Sequence, residues 1–182
     1  MGKKNLLFAI ILFSTFATAS ILALLAAKKI TTTHPAADST PDFFMTNATY
    51  SKFDNNGNIS NQFSTREIIH FQHQNNYIFA NPSLKMYSDK TSPWYITATN
   101  GKSKEGKSAI YLWDNVKLVQ NSDFDITTTT LTVYPDRKFA STDKPITIVQ
   151  NGSIVKAIGA TADLNHGIVT LLSNVSCEYQ PN

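Results

Sequence analysis

Arginine, cysteine and surplus charge are all scarce in this chain of 182 residues. Its only arginines are Arg66 and Arg137, so the usual donor of bidentate phosphate contacts is nearly missing. One cysteine, Cys177, can form no intramolecular disulfide and cannot hold a metal alone. Charged residues are 16% and apolar residues 42%, which excludes a charge-solvated disordered chain. The formal charge of +3 is local: Lys3, Lys4, Lys28 and Lys29 bracket one apolar run. Setting those four aside leaves 12 basic against 13 acidic residues over 30–182, a net of −1. No basic patch of the kind that binds nucleic acid is present.

What is present begins with residues 6–27, twenty-two positions without a charge. As a helix they would span roughly 33 Å, enough for the hydrocarbon core of a bilayer. A cleaved signal peptide is the competing reading, with Ala17-Thr18-Ala19 as the cleavage pattern. The apolar run continues past that point to Lys28, so residues 1–29 are expected to be an uncleaved membrane anchor. The positive-inside rule favours a cytoplasmic N-terminus, and either fate puts the remainder outside the cytoplasm. Residues 30–42 are small, polar and carry two prolines, as a linker does.

Residues 43–182 show short runs of period two and no sustained helical period. Trp94, Ile96 and Ala98 alternate with Tyr95, Thr97 and Thr99, and Ile146 and Ile148 with Thr147 and Val149. Phe63, Ile69 and Phe71 share one parity. So do Ile110, Leu112, Val116 and Leu118, with Asp114-Asn115 as an irregularity. In the last run Val169, Leu171, Val175 and Cys177 share a parity, which places Cys177 as a small core residue. Turn chemistry separates the runs at 54–57, 74–76, Asn100-Gly101, Pro135-Asp136, Asn151-Gly152 and 165–167. The pattern predicts an all-β, antiparallel domain of sequential hairpins. A weak repeat near 30 residues joins Asn81-Pro82-Ser83-Leu84, Asn115-Val116-Lys117-Leu118 and Asn174-Val175-Ser176-Cys177, with Lys144-Pro145-Ile146 in the gap. Such a repeat can stack strand pairs into an elongated β-structure with open ends.

Several motifs are weaker than they look. Residues 101–108, Gly-Lys-Ser-Lys-Glu-Gly-Lys-Ser, match the P-loop letter for letter. That loop needs a helix at its end, and the continuation Ala109-Ile110-Tyr111-Leu112-Trp113 reads as a strand. A lysine-rich hairpin loop is expected instead. His70 and His73 are three apart in a strand and face opposite sides. No metal site, cofactor or catalytic set is expected, hence no enzyme. Asn47, Asn58, Asn151 and Asn174 head glycosylation sequons, which matter only in a eukaryotic secretory pathway. The positive feature is aromatic and aliphatic content: eleven Phe, seven Tyr and two Trp. Two packed sheets can close over these side chains, or splay and leave a slot for acyl chains.

Certain stretches carry a family likeness. They are Pro41-Asp42-Phe43-Phe44-Met45 after the anchor and linker, Trp94-Tyr95-Ile96-Thr97-Ala98, and residues 140–148 (Ala-Ser-Thr-Asp-Lys-Pro-Ile-Thr-Ile). The closing Ala162-Asp163-Leu164-Asn165-His166-Gly167, running into 171–175, completes the series. In this order they resemble LptC, the bitopic inner-membrane component of bacterial lipopolysaccharide export. The family's glycine-rich segment before the last hairpin is reduced here to Gly152 and Gly159. The resemblance implies an open, V-shaped periplasmic β-jelly roll. Such a domain accepts lipopolysaccharide from an inner-membrane ABC transporter complex and passes it to the bridge protein LptA.

On that reading the inward parity nominates lipid-binding residues: Phe63, Phe79, Leu84, Met86, Trp94, Ile96, Leu112, Leu118, Leu131, Val133, Ile148, Leu171 and Val175. Strands at 48–54 and 59–71 are expected near the transporter. The strand at 169–179 is expected at the bridge-protein end, with Val169, Leu171, Ser173, Val175 and Cys177 on its edge. Two other classes stay open: a secreted or anchored β-sheet module that binds carbohydrate, and a structural scaffold of the cell envelope.

Overall fold

A computed structural model describes residues 41–179 except 72–74, 89–90, 105–107 and 122–123. The proposed anchor, most of the linker and His73 lie outside the described residues. Among those described, no helix is long and apolar enough to cross a membrane.

Eleven strands account for nearly all of the described chain. They are β1 Phe43–Phe53, β2 Ile59–Phe71, β3 Asn76–Ala80, β4 Ser83–Met86, β5 Trp94–Thr97 and β6 Asn100–Lys104. The series continues with β7 Ile110–Asn121, β8 Phe124–Tyr134, β9 Phe139–Gln150, β10 Ser153–Asp163 and β11 Ile168–Glu178. Every pairing is antiparallel. β3 and β4 both pair with β2, at Phe79↔Ile68 and Leu84↔Phe63. β5 and β6 both pair with β7, at Ile96↔Leu118 and Gly101↔Leu112. Thus β3 and β4 are two halves of one bent strand, as are β5 and β6. The sheet then runs in chain order from β1 to β11, the sequential hairpins that alternation and turn residues predict.

Each strand bends near its middle, and the bends fall side by side. Asn47 in β1 lies opposite Arg66, between the pairs Thr46↔Glu67 and Ala48↔Thr65. Next come Asn81-Pro82, Ala98-Thr99 and Asp114-Asn115. The register shift of β8 against β9 between Thr128 and Thr132, Gly159 in β10 and Asn174 in β11 complete the row. Asn47, Asn81, Asp114, Asn115 and Asn174 all have φ between 50° and 62°, a left-handed conformation that Asn and Asp tolerate better than other side chains. The weak Asn-(Pro/Val)-x-apolar repeat is therefore the mark of the corners.

A corner interrupts the ladder, so its backbone groups need other partners. Side chains meet the need. Thr65 Oγ1 donates to Ala80 O at 2.7 Å, Thr128 Oγ1 to Pro145 O at 2.9 Å, and Ser173 Oγ to Ile158 O at 2.9 Å. Asn115 Nδ2 donates to Thr99 Oγ1 at 3.0 Å, tying two adjacent corners. The threonine and asparagine content of the chain thus has a structural use at the bends.

Folding the sheet along this row brings the inward faces of both halves into one apolar cluster. Met86, Trp94, Ile96 and Leu118 come from one side of the bends, and Leu112, Val133, Ala140 and Leu164 from the other. Trp94 is fully buried and meets Phe124 edge to face, with centroids 5.8 Å apart.

Two expectations change, at Asn100-Gly101 and at Cys177. Asn100-Gly101 is not a turn but the start of β6. Gly101 is there because a Cβ would stand 3.0 Å from Leu112 and 3.1 Å from Pro82. The P-loop look-alike runs from β6 into antiparallel β7, so no helix N-terminus follows Ser108 to hold a phosphate. Cys177 is exposed rather than a core residue. It follows the Asn174 corner on the terminal strand, in a run of exposed residues.

At Gly159 φ is +75°, and a Cβ would meet Leu172 Cδ1 at 3.0 Å. Gly159→Ala should therefore lower stability by about 1–3 kcal/mol, read as a fall in the urea midpoint with unchanged slope. Gly57→Ala would provide the contrast, since nothing lies within 4 Å of its Cβ position and only the backbone term remains.

Candidate functional site

The inner faces of β1 to β4 and β6 do not close on one another. Between them lies a cavity of about 710 Å³, within the size range of small-molecule sites. Phe63, Ile68, Tyr77, Phe79, Leu84 and Met86 form most of its wall. Phe63 and Phe79 meet edge to face, centroids 4.9 Å apart, and stiffen that wall. Ile110 of β7 closes one side, and Phe43 and Tyr50 of β1, both exposed, stand where the cavity meets solvent.

Polar groups gather at one place on this lining. Lys52 of β1 forms an ion pair with Asp136, which sits in the 3-10 turn Pro135–Arg137 between β8 and β9. Their separation is 2.5 Å, and both side chains are nearly half exposed. The bond from the Lys52 ammonium, aided by the Ser108 hydroxyl, holds the Asp136 carboxyl below its ordinary pKa; Asp136 in turn raises that of Lys52. Asn61 Nδ2 donates to Pro135 O at 3.5 Å, while Asn61 Oδ1 is buried with no hydrogen-bond partner.

Among the described residues the sheet has two unpaired edges: β1 pairs only with β2, and β11 only with β10. Each edge carries exposed apolar side chains: Phe44 and Phe53 on β1, Leu172 and Tyr179 at the other end. An open apolar edge is a template for another strand. Where β1 begins, His70 Nδ1 contacts Asp42 Oδ1 at 2.8 Å, so that histidine is engaged in the approach to the first strand. Among the described residues no cluster of metal-ligating side chains occurs.

The nominated lipid-binding residues separate into three groups. Phe63, Phe79, Leu84 and Met86 line the cavity together. Trp94, Ile96, Leu112, Leu118, Leu131, Val133 and Ile148 are buried in the closed core beyond it. Leu171 packs half-buried against that core, and Val175 is exposed on β11. On the nominated edge, Val169 and Leu171 face the core, Ser173 is tied to Ile158 O, and Val175 and Cys177 are exposed.

Phe43, Tyr50, Ile68, Tyr77 and Ile110, with the polar set Lys52, Asn61 and Asp136, also line the cavity and were not nominated. Ile68 shows why. Parity from Phe63 selects Ile69, but β2 turns through the corner at Thr65 and Arg66 without a register shift, and beyond it Ile68 lines the cavity instead.

The family profile described as "Lipopolysaccharide-assembly, LptC-related" matches residues 6–180. No curated protein matches in direct comparison. Among solved structures, LptH of Pseudomonas aeruginosa, titled the LptA-homologous periplasmic component of the lipopolysaccharide transport device, is 10% identical. The match covers 81% of this chain and 100% of that one, with a TM-score of 0.47.

Proposed function

Since this chain belongs to the LptC-related lipopolysaccharide-assembly family and its role lies in lipopolysaccharide transport, we propose that its cavity carries the acyl chains of lipopolysaccharide across the periplasm. In this reading the lipid arrives from an inner-membrane ABC transporter complex at the β1 end. It leaves at the β11 end to the bridge protein LptA. Residues 1–29 anchor the chain in the inner membrane, 30–42 link, and 43–182 form the periplasmic carrier.

The observation that carries the proposal is the 710 Å³ apolar cavity between the bent halves of β1 to β4. An acyl chain leaving a bilayer loses about 0.8 kcal/mol for each CH₂ exposed to water, so a chain of about twelve carbons needs cover worth on the order of 10 kcal/mol. Aromatic and branched aliphatic walls supply such cover without any charge. A domain of net −1 with two arginines suits apolar capture better than electrostatic capture of a polyanion.

Photo-crosslinking residues placed at Phe79 and Leu84, in cells exporting lipopolysaccharide, test the proposal. Adducts with lipopolysaccharide at both positions, and none from the core position Val133, are expected. Adducts with protein alone would make the domain a scaffold instead.

A further inference from the structure

An apolar cavity needs no ion pair, yet one stands on its lining. Lys52 is the only cation among the described lining residues, and Asp136 the only anion. The two lie 84 residues apart in sequence. They join the edge strand β1, which among the described strands pairs with β2 alone, to the turn between β8 and β9. Beside them Asn61 Oδ1 is buried and lacks a donor. Because Asn61 already gives its amide to Pro135 O, reversing the amide would only transfer the deficit to the other end. A buried acceptor without a donor is uncommon, and a ligand group is one way to satisfy it.

We propose that Lys52 and Asp136 form an exchangeable clasp: a phosphate on the headgroup of the carried lipid displaces Asp136 from Lys52, while an N–H or O–H of the same headgroup donates to Asn61 Oδ1. The proposal rests on the carrier reading above and adds a polar subsite to it. Three features support it. Half-exposed ion pairs hold weakly, so a change of partner costs little. Phosphate brings more charge and more acceptor oxygens than a carboxylate, which favours the exchange. A lysine is a compact charge on a flexible stem and can follow the new partner, where an arginine fork would demand one geometry.

The displaced carboxylate stays ionised, held by Ser108, whose bond contributes to its lowered pKa. It then faces phosphate as a like charge. The turn carrying Asp136 is repelled from the headgroup, and β1 loses its tie to that turn. Ligand binding and opening of the cavity at this point are thereby one event.

Equilibrium binding to the full-length chain in detergent micelles tests this, with diphosphoryl lipid A, its dephosphorylated form and inorganic phosphate as probes. Lys52→Gln should weaken binding of the diphosphoryl lipid about threefold to tenfold and leave the dephosphorylated lipid unchanged. Asp136→Asn should strengthen binding of the diphosphoryl lipid alone, by removing the competitor. Each comparison uses two lipids on one protein sample, so a partly unfolded variant does not distort it. Equal effects of Lys52→Gln on both lipids, or none on either, would overturn the clasp while leaving the carrier intact. Inorganic phosphate bound as tightly as the lipid would make Lys52 a plain anion site and overturn the clasp. If the wild-type chain binds neither lipid, the carrier reading fails and the clasp fails with it.

Discussion

Trp94→Ala should cost about 3–5 kcal/mol of folding stability, the largest loss expected from any single side chain here. Trp94 is fully buried, and its ring meets Phe124 edge to face. It sits on β5, whose four residues pair with β4 on one side and of which Tyr95, Ile96 and Thr97 pair with β7 on the other. Truncation there removes packing from the cluster that both halves of the bent sheet share. Against a typical total of 5–15 kcal/mol, the loss would leave a large unfolded fraction near 37 °C. Trp94→Phe separates volume from polarity. The indole Nε1 is buried with no hydrogen-bond partner, so phenylalanine discards an unmet donor along with part of the ring. Its cost should be well under half that of alanine. Urea unfolding of the two variants checks both numbers. A milder effect for alanine than for phenylalanine would mean that the site collapses freely and does not nucleate the core.

Removing residues 174–182 should abolish capture of the bridge protein while the domain stays folded. The cut lies at the Asn174 corner of β11. Before it, Val169 and Leu171 pack against the core, so a deletion starting at Leu171 would remove structural contacts as well. After it, the described residues are exposed and pair only with Ile154, Val155 and Lys156 of β10. If the bridge protein adds a strand to this edge, its main-chain hydrogen bonds run along the removed segment and no side-chain substitution would erase them so fully. Co-purification with the bridge protein measures the loss, and co-purification with the ABC transporter complex is expected to persist. Retained capture by the shortened chain would move the docking edge elsewhere. A fall in melting temperature of more than a few degrees would show that the segment also supports the fold.

The strands were legible because alternation and turn chemistry are local. β2 occupies the expected 59–71, β11 lies at Ile168–Glu178 against an expected 169–179, and the Asp114-Asn115 irregularity is a corner with two left-handed residues. The site was legible only in part. Alternation says that a side chain points inward but not whether another wall stands opposite. Phe79 and Trp94 carry the same signal, yet one borders open space and the other is sealed. Corners add a second obscurity, since the parity that faces inward changes across them, as with Ile68 for Ile69. Lys52 and Asp136 could not be paired from sequence, because nothing local links the first strand to a turn 84 residues away. Their pairing depends on the whole sheet folding back over itself.

The row of corners has a mechanical consequence. Every strand crosses it, so the two halves of the sheet are leaves of one book bound along a spine of Asn47, Asn81, Asn115, Gly159 and Asn174. Neither leaf can slide past the other without breaking ladder bonds in every strand. Rotation about the spine leaves the ladders whole and instead parts the side chains that both leaves give to the core. The motion the ladders allow is therefore a change of opening angle, and adjacent strands must turn nearly together because their ladders join them. Prising the leaves apart at β1 would be felt at β11, at the far end of the spine, as a torque on the last strand. A domain bound in this way would pass a change at one end to the other by leverage, with no separate moving part.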